Sequence, residues 1–275
     1  MARLPPKFLD CVSALGQEVE VGQINWYGSA TFYAEVHGRD ANGVRFTPWL
    51  VTCRHNLVNE DGSLADYAKI RLNLKSGQPR DFNLPLVTSG KKHWAAHPDE
   101  NVDLAVFCLD GEHLRALDFF ETYLLSDNHC WTVDEMREAG VAEGDGVFVL
   151  GYPLGVMSHG LQRAICRFGC VARIRDLFDG ATKSFLIDGQ VFPGASGGPV
   201  ISCPEVAHVP NTKTVKAAAL MGIVSHVEGA WVKGEDRPDR KVDIRVKIPA
   251  GLAIVQPTDR IREAIAHHRQ TLGGE

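Results

Sequence analysis

Phe192-Pro193-Gly194-Ala195-Ser196-Gly197-Gly198-Pro199-Val200 sets a serine among three glycines and two prolines. Its composition alone describes a tight turn, and glycine, serine and proline are common in turns. Two details ask for more than a turn. The segment runs straight into the apolar strand Pro199-Val200-Ile201, and it holds more glycine than one turn requires. Gly194 can adopt backbone angles that aim its N–H inward. The N–H of Ser196 can converge with it, and two such donors form a trap for a tetrahedral oxyanion. Gly197 and Gly198 leave room for a second backbone to approach. A candidate nucleophile, Ser196, and a candidate oxyanion hole, Gly194 with Ser196, therefore occupy one loop.

The same residues fit G-x-S-x-G, the strand-to-helix elbow of α/β-hydrolases. That fold puts its acid and histidine after the serine, and a helix directly behind it. Here a proline and a strand follow, the later His267 and His268 fall on a terminal helix, and alternating βα units are missing. The elbow reading is set aside on those grounds.

A serine hydroxyl needs a base. Of 11 histidines, His55 stands out. It follows the apolar strand Trp49-Leu50-Val51-Thr52-Cys53 and opens the loop Asn56-Leu57-Val58, which places an imidazole at the rim of a β unit. The base in turn needs a carboxylate to fix its tautomer and stabilise the imidazolium. Asp103 is a lone acid entering the apolar strand Leu104-Ala105-Val106-Phe107, where an unpartnered charge is costly to bury. It could instead cap a turn, a task open equally to Asp99 or Asn101. The chain order is His55, Asp103, Ser196, with 48 and 93 positions between them.

Outward from these residues the chain reads as β. Ala30 to Val36, Trp49 to Cys53, Ile70 to Leu74 and Leu104 to Leu109 are short, rich in β-branched and aromatic residues, and bounded by Gly, Asn and Asp. Strands recur at Val147 to Gly151, Ala164 to Arg173, Ser184 to Ile187, Pro199 to Ser202, Ala218 to Ser225 and Leu252 to Val255. A short helix is expected over Pro6 to Leu15, with β structure from Glu18 onward. Residues 111–140 read as a mixed linker. A closing helix starts near Pro257-Thr258-Asp259, with a capping residue ahead of Ile261, Ala264 and Ile265. The expectation is one all-β domain spanning 1–275: an N-terminal barrel over about 18–110, the linker 111–140, a C-terminal barrel over 141–256 and a closing helix over 257–270.

Composition is that of a soluble globular chain, with 275 residues, 44% hydrophobic, 23% charged and a net charge of −5. The most basic stretch, Arg237, Arg240, Lys241, Arg245 and Lys247, is interrupted by Glu235, Asp236, Asp239 and Asp243. It reads as a solvated loop and strand edge rather than a nucleic-acid surface. No run reaches membrane-span length, and the N-terminus lacks an apolar leader with a cleavage site, so a cytoplasmic location is expected. The seven cysteines, Cys11, Cys53, Cys108, Cys130, Cys166, Cys170 and Cys203, are expected as reduced, mostly buried thiols. The Cys166–Cys170 spacing is unlike a zinc knuckle. No metal and no cofactor are expected.

These motifs together resemble the trypsin-like, chymotrypsin-fold serine peptidases, most closely the bacterial branch without the animal enzymes' disulfides. Leu50-Val51-Thr52-Cys53-Arg54-His55 is similar to the family's L-V-T-x-x-H. Val102-Asp103-Leu104-Ala105-Val106 resembles its acid-bearing strand, and Pro193 to Pro199 its P-G-x-S-G-G-P loop. Phe148 to Gly155 resembles the G-[YF]-P-x-G strand and turn, Leu220 to Ser225 the pocket-lining strand, and Gly251 to Ile265 the closing strand and helix. The match extends over about residues 20 to 268. It implies two tandem antiparallel six-stranded β-barrels with a C-terminal α-helix, and a serine endopeptidase with the triad His55, Asp103, Ser196 acting on a protein or peptide substrate. A PDZ module is not expected before position 275. The resemblance also implies a substrate pocket of Gln190, Val191, Ser225, His226 and Val227. Gln190, six before the nucleophile, points to a neutral rather than basic preference, and Val227 stands where the family often has Gly. The alternative is a latent or inactive protein of this fold that serves as a peptide-binding scaffold or requires an activating protein partner.

Overall fold

The computed structural model describes residues 4–41, 43–59, 61–110, 119, 122–158, 160–205, 213–234 and 244–272. Part of the expected linker, 111–118 with 120 and 121, and the mixed-charge stretch 235–243 lie outside the described residues. Helix α1 (Pro6–Asp10) leads into β1 (Val12–Glu20), β2 (Gln23–Asp40) and β3 (Gly43–Thr52). There follow β4 (Tyr67–Asn73), β5 (Pro79–Pro85), β6 (Val87–Thr88), β7 (Lys91–Lys92), β8 (Trp94–Ala96), β9 (Ala105–Cys108) and β10 (Leu124–Leu125). The second half comprises α2 (Val133–Ala139), β11 (Gly146–Gly151), β12 (Ile165–Arg173), α3 (Arg175–Phe178), β13 (Phe185–Gly189), β14 (Pro199–Ser202), β15 (Leu220–Gly234), β16 (Ile244–Pro257) and α4 (Thr258–Thr271).

The second unit is a closed six-stranded barrel in the order β11-β12-β13-β16-β15-β14. The first is an eight-stranded sheet following the path β5-β4-β1-β2-β3-β9-β8, with β10 on β2. Seven strands lie along this path and the linker adds the eighth, β10, parallel to β2 at Tyr33 and Ala34. The N-terminal helix is also shorter than expected. It stops at Asp10, because Val12 to Leu15 pair with Thr31 to Gly28 and extend the sheet.

Period-two patterning explains the layers. In β4, Ala68, Ile70 and Leu72 face the core, while Tyr67, Lys69, Arg71 and Asn73 face outward. Strands at the junction of the two units break this rule. In β11, Val147 and Val149 pack inside the barrel, and Phe148 and Leu150 pack with the core of the first unit. In β2, every residue from Gly28 to Ala34 is buried. Ser29 and Thr31 on one face bond the second unit (below), whereas Ala30 and Phe32 on the other join the first unit's core.

Helix α4 follows β16 of the barrel but crosses back to the first unit. Ile261, Ala264, Ile265 and His268 form its buried stripe at i, i+3, i+4 and i+7. His268 stacks edge-on against Trp49 at 5.0 Å between ring centroids, Arg269 pairs with Glu35 through bonds of 2.5 and 2.9 Å, and Glu263 meets His97 at 2.7 Å. No side chain caps its N-terminus, contrary to expectation. Thr258 donates to the Trp131 carbonyl and Asp259 accepts the Val133 N–H at 2.8 Å, so both candidate caps fasten the helix to the linker instead. No disulfide joins the seven cysteines, all of them among the described residues.

Ile261 is fully buried between the helix and the first unit. Ile261→Ala is expected to lower stability by about 2–5 kcal/mol, the range for truncating a buried isoleucine, measured by denaturant unfolding.

Candidate active site

Backbone register brings His55 and Asp103 together. Strands β3 and β9 pair antiparallel with Thr52 opposite Ala105. Continuing that register, residues just past Thr52 lie beside those just before Ala105, which closes the 48-residue gap. His55 sits on the short 3₁₀ turn Arg54–Leu57 that ends β3. Its Nδ1 lies 2.5 Å from Asp103 Oδ2, and its backbone N–H donates to Asp103 Oδ1 at 3.1 Å. Both carboxylate oxygens are thus taken up by one residue, which sets the ring's plane. Burial pushes the Asp103 carboxyl up, but the hydrogen bonds and charge of His55, aided by Arg54, outweigh it and hold the acid below its usual range.

The Ser196 turn is shaped by close approaches. Gly194 and Gly197 have φ of +93° and +89°, conformations that favour glycine. A Cβ on Gly197 would lie 1.9 Å from the Ser29 carbonyl oxygen, and one on Gly198 2.0 Å from that of Leu150. The glycine density noted in the sequence is therefore a packing requirement as well as a conformational one.

Each carbonyl of the turn has a partner. Pro193 O accepts from Leu154 N–H at 2.7 Å, and Ala195 O from Gly198 N–H at 2.9 Å. Because C=O and N–H point oppositely across a trans peptide, these two bonds set the directions of the Gly194 and Ser196 N–H groups. Donors from the first unit hold the remainder. Ser29 Oγ–H donates to Gly194 O at 2.7 Å, Ser29 N–H to Ser196 O at 2.9 Å, Asn56 Nδ2 to Ser196 O at 3.0 Å and Thr31 Oγ1 to Gly197 O at 3.0 Å. Thr52 Oγ1 donates to Ser29 O at 2.7 Å and braces the set.

An open cavity of about 460 Å³ joins the two halves. His55, Asn56, Val58 and Asn59 line one side, Pro193, Gly194 and Ser196 another, and Gln17, Asn25, Tyr27 and Ala65 the remainder. The structure thus brings His55, Gly194 and Ser196 to one cavity with Asp103 behind the histidine. Ser196 Oγ makes no hydrogen bond to His55 among the described residues; such contacts are often long in a ligand-free site and tighten with substrate.

The residues expected to form the substrate pocket do not line this cavity. Val191 is 1% exposed and packs in the barrel core, and Ser225 is buried with its hydroxyl donating to Ile254 O at 3.3 Å. Gln190 and His226 are exposed and Val227 is half-buried. Ser29, Thr31, Thr52 and Asn56 escaped the sequence reading. The signal for two of them was present as hydroxyls at alternate positions of the apolar run Gly28 to Phe32.

Among the described residues, one group has metal-ligand chemistry: Cys53, His55 and Asp103, whose donor atoms lie within 4.8 Å of one another. Burial, with the Asp103 charge second, drives the Cys53 thiol well up, and its S–H donates to Val224 O at 3.1 Å. With His55 Nδ1 already on Asp103, the set is a hydrogen-bonded cluster rather than an ion cradle.

A family model described as trypsin-like peptidase domain matches residues 28–205, more than half of the chain. No curated protein sequence matches. Among solved structures, the HtrA-type protease AlgW with a tripeptide is similar at 19% identity and a TM-score of 0.50, with 96% of this chain and 62% of that one covered. The serine endoprotease from Yersinia pestis shows 13% identity and a TM-score of 0.48, with coverages of 96% and 64%. At 19% identity the likeness to the HtrA-type protease is one of fold, and the present chain spans less than two thirds of either structure's length.

Gly197→Ala is expected to lower stability by about 2–4 kcal/mol through overpacking and a strained backbone. Calorimetry checks this, and a melting temperature equal to that of the parent protein would show that the turn has slack the distances deny.

Proposed function

This chain belongs to the trypsin-like peptidase domain family, and from that membership we propose that it is a serine endopeptidase working through an acyl-enzyme on Ser196. The observation that carries the reading is the doubly bonded His55–Asp103 pair on the cavity that also holds Ser196.

In the proposed reaction a peptide carbonyl lies over Ser196 with its oxygen toward the Gly194 and Ser196 N–H groups. His55 Nε2 takes the hydroxyl proton as Oγ adds to the carbon. The negative oxygen is stabilised by N–H donors already oriented by the pinned carbonyls, so little reorganisation accompanies the charge. Collapse of the intermediate breaks the C–N bond, and His55 passes its proton to the leaving amine. Water then repeats the sequence on the ester and frees Ser196. Asp103 holds Nδ1–H and stabilises the imidazolium without becoming protonated.

Strand β15 suits the substrate's other side. Its ladder with β14 ends at Ile223 opposite Pro199, and Val224 still bonds Gly197 and Gly198, so it is beyond Val224 that this edge suits an added peptide strand. On this reading His226 and Val227 border the acyl side, and Gln190 makes a neutral residue before the cleaved bond the preferred one.

A fluorophosphonate probe is expected to label the protein and to fail on Ser196→Ala. Absence of labelling of the folded parent protein would instead support the latent form awaiting an activating partner. Asp103→Asn is expected to reduce kcat by roughly 10⁴-fold, the scale for such triads. Since Asp103 is held below the usual carboxylate range, it stays ionised at mildly acid pH. The support that ionised Asp103 gives kcat/KM should therefore persist through mildly acid pH and be lost only as the pH falls through its lowered range. A pH–rate profile measures this.

A further inference from the structure

We propose that Asn56 is a positioning residue that ties the turn carrying the base to the nucleophile's own backbone; the inference rests on the peptidase reading above. Asn56 directly follows His55 on the 3₁₀ turn and is 4% exposed. Its Nδ2 donates to Ser196 O and to Thr52 Oγ1, both at 3.0 Å. Among the described residues, this is the hydrogen bond that joins the His55 turn to residue 196. Its backbone is held as well, with Asn56 N–H donating to Cys53 O at 3.1 Å and Tyr27 OH donating to Asn56 O at 2.9 Å.

The arrangement differs from ordinary burial of an amide. Ser196 O already accepts the Ser29 N–H, and Thr52 Oγ1 already donates to Ser29 O. Removing the Asn56 amide therefore leaves neither of these buried groups without a partner, and a stability role alone is weakly required. What the amide adds is a fixed offset between the base and the nucleophile, which arrive from different β units. A displacement of about 1 Å between reacting groups costs on the order of 100-fold in rate.

Gly28 gives an independent handle. A Cβ there would lie 2.8–2.9 Å from the Asn56 side-chain atoms, and φ of Gly28 is not in the left-handed region. Gly28→Ala therefore displaces the Asn56 amide without altering its chemistry.

The test is a double-mutant cycle over Gly28→Ala and Asn56→Ala, read as the fluorophosphonate labelling rate per folded molecule and, on a cleaved peptide, as kcat and KM. Asn56→Ala is expected to slow labelling and lower kcat by roughly 10- to 100-fold with KM little changed. Gly28→Ala is expected to act in the same direction, and the double variant to be no slower than Asn56→Ala alone, because the displaced group is gone. Labelling by Asn56→Ala within twofold of the parent rate, or additive losses in the double variant, would overturn the proposal. If Asn56→Ala does not fold, Gly28→Ala decides alone, with an unchanged rate counting against the role. A folded parent protein that does not label overturns the active-peptidase reading in favour of the latent form, and this role with it, whereas normal parent labelling with an unchanged Asn56→Ala rate overturns only the latter.

Discussion

The capture of the Ser196 turn's carbonyls by donors of the first unit is the interaction on which the site's geometry depends. Ser29, Thr31 and Asn56 together bond Gly194 O, Ser196 O and Gly197 O. An isolated glycine-rich turn has many backbone conformers, and Gly loses more entropy on ordering than any other residue. Here that cost is offset by hydrogen bonds that are shielded from water, where they are electrostatically stronger. The proposed oxyanion donors, Gly194 N–H and Ser196 N–H, share their peptides with Pro193 O and Ala195 O, which Leu154 and Gly198 of the second unit hold, so the first unit's bonds fix the turn around them rather than those two peptides directly.

The rest of the fold keeps the two units at the distance those bonds require. Strand β11 divides its side chains between the two cores. Helix α4 belongs by connectivity to the barrel and by packing to the first unit, anchored at Trp49, Glu35 and His97. Its first residues also hold the linker through Trp131 and Val133. The helix therefore straps the two units together without lining the cavity.

Legibility in the sequence followed the range of the interactions. His55, Asp103 and Ser196 stood out because each is a chemically specific residue at a strand end, where a local pattern marks it. Cys53, beside them, was also visible but only as a thiol; that it donates to Val224 O beneath the histidine depends on how β15 passes the site. The expected substrate pocket was less readable. Counting back from Ser196 places Gln190 and Val191 next to each other, but the chain's turn at Gly189 sends one outward and the other into the barrel core.

The β class, the closing helix and the chemical identities at the proposed site were legible locally, because strand alternation, glycine conformational freedom and side-chain chemistry act within a few residues. Which groups meet depends on long-range packing. The His55–Asp103 pair depends on the register of β3 against β9, and the Asn56–Ser196 bond on the docking of one β unit against the other. Neither register nor docking is encoded at any single position; both arise from burying two extended apolar surfaces at once, and the hydrogen bonds across the junction exist only after that burial has occurred.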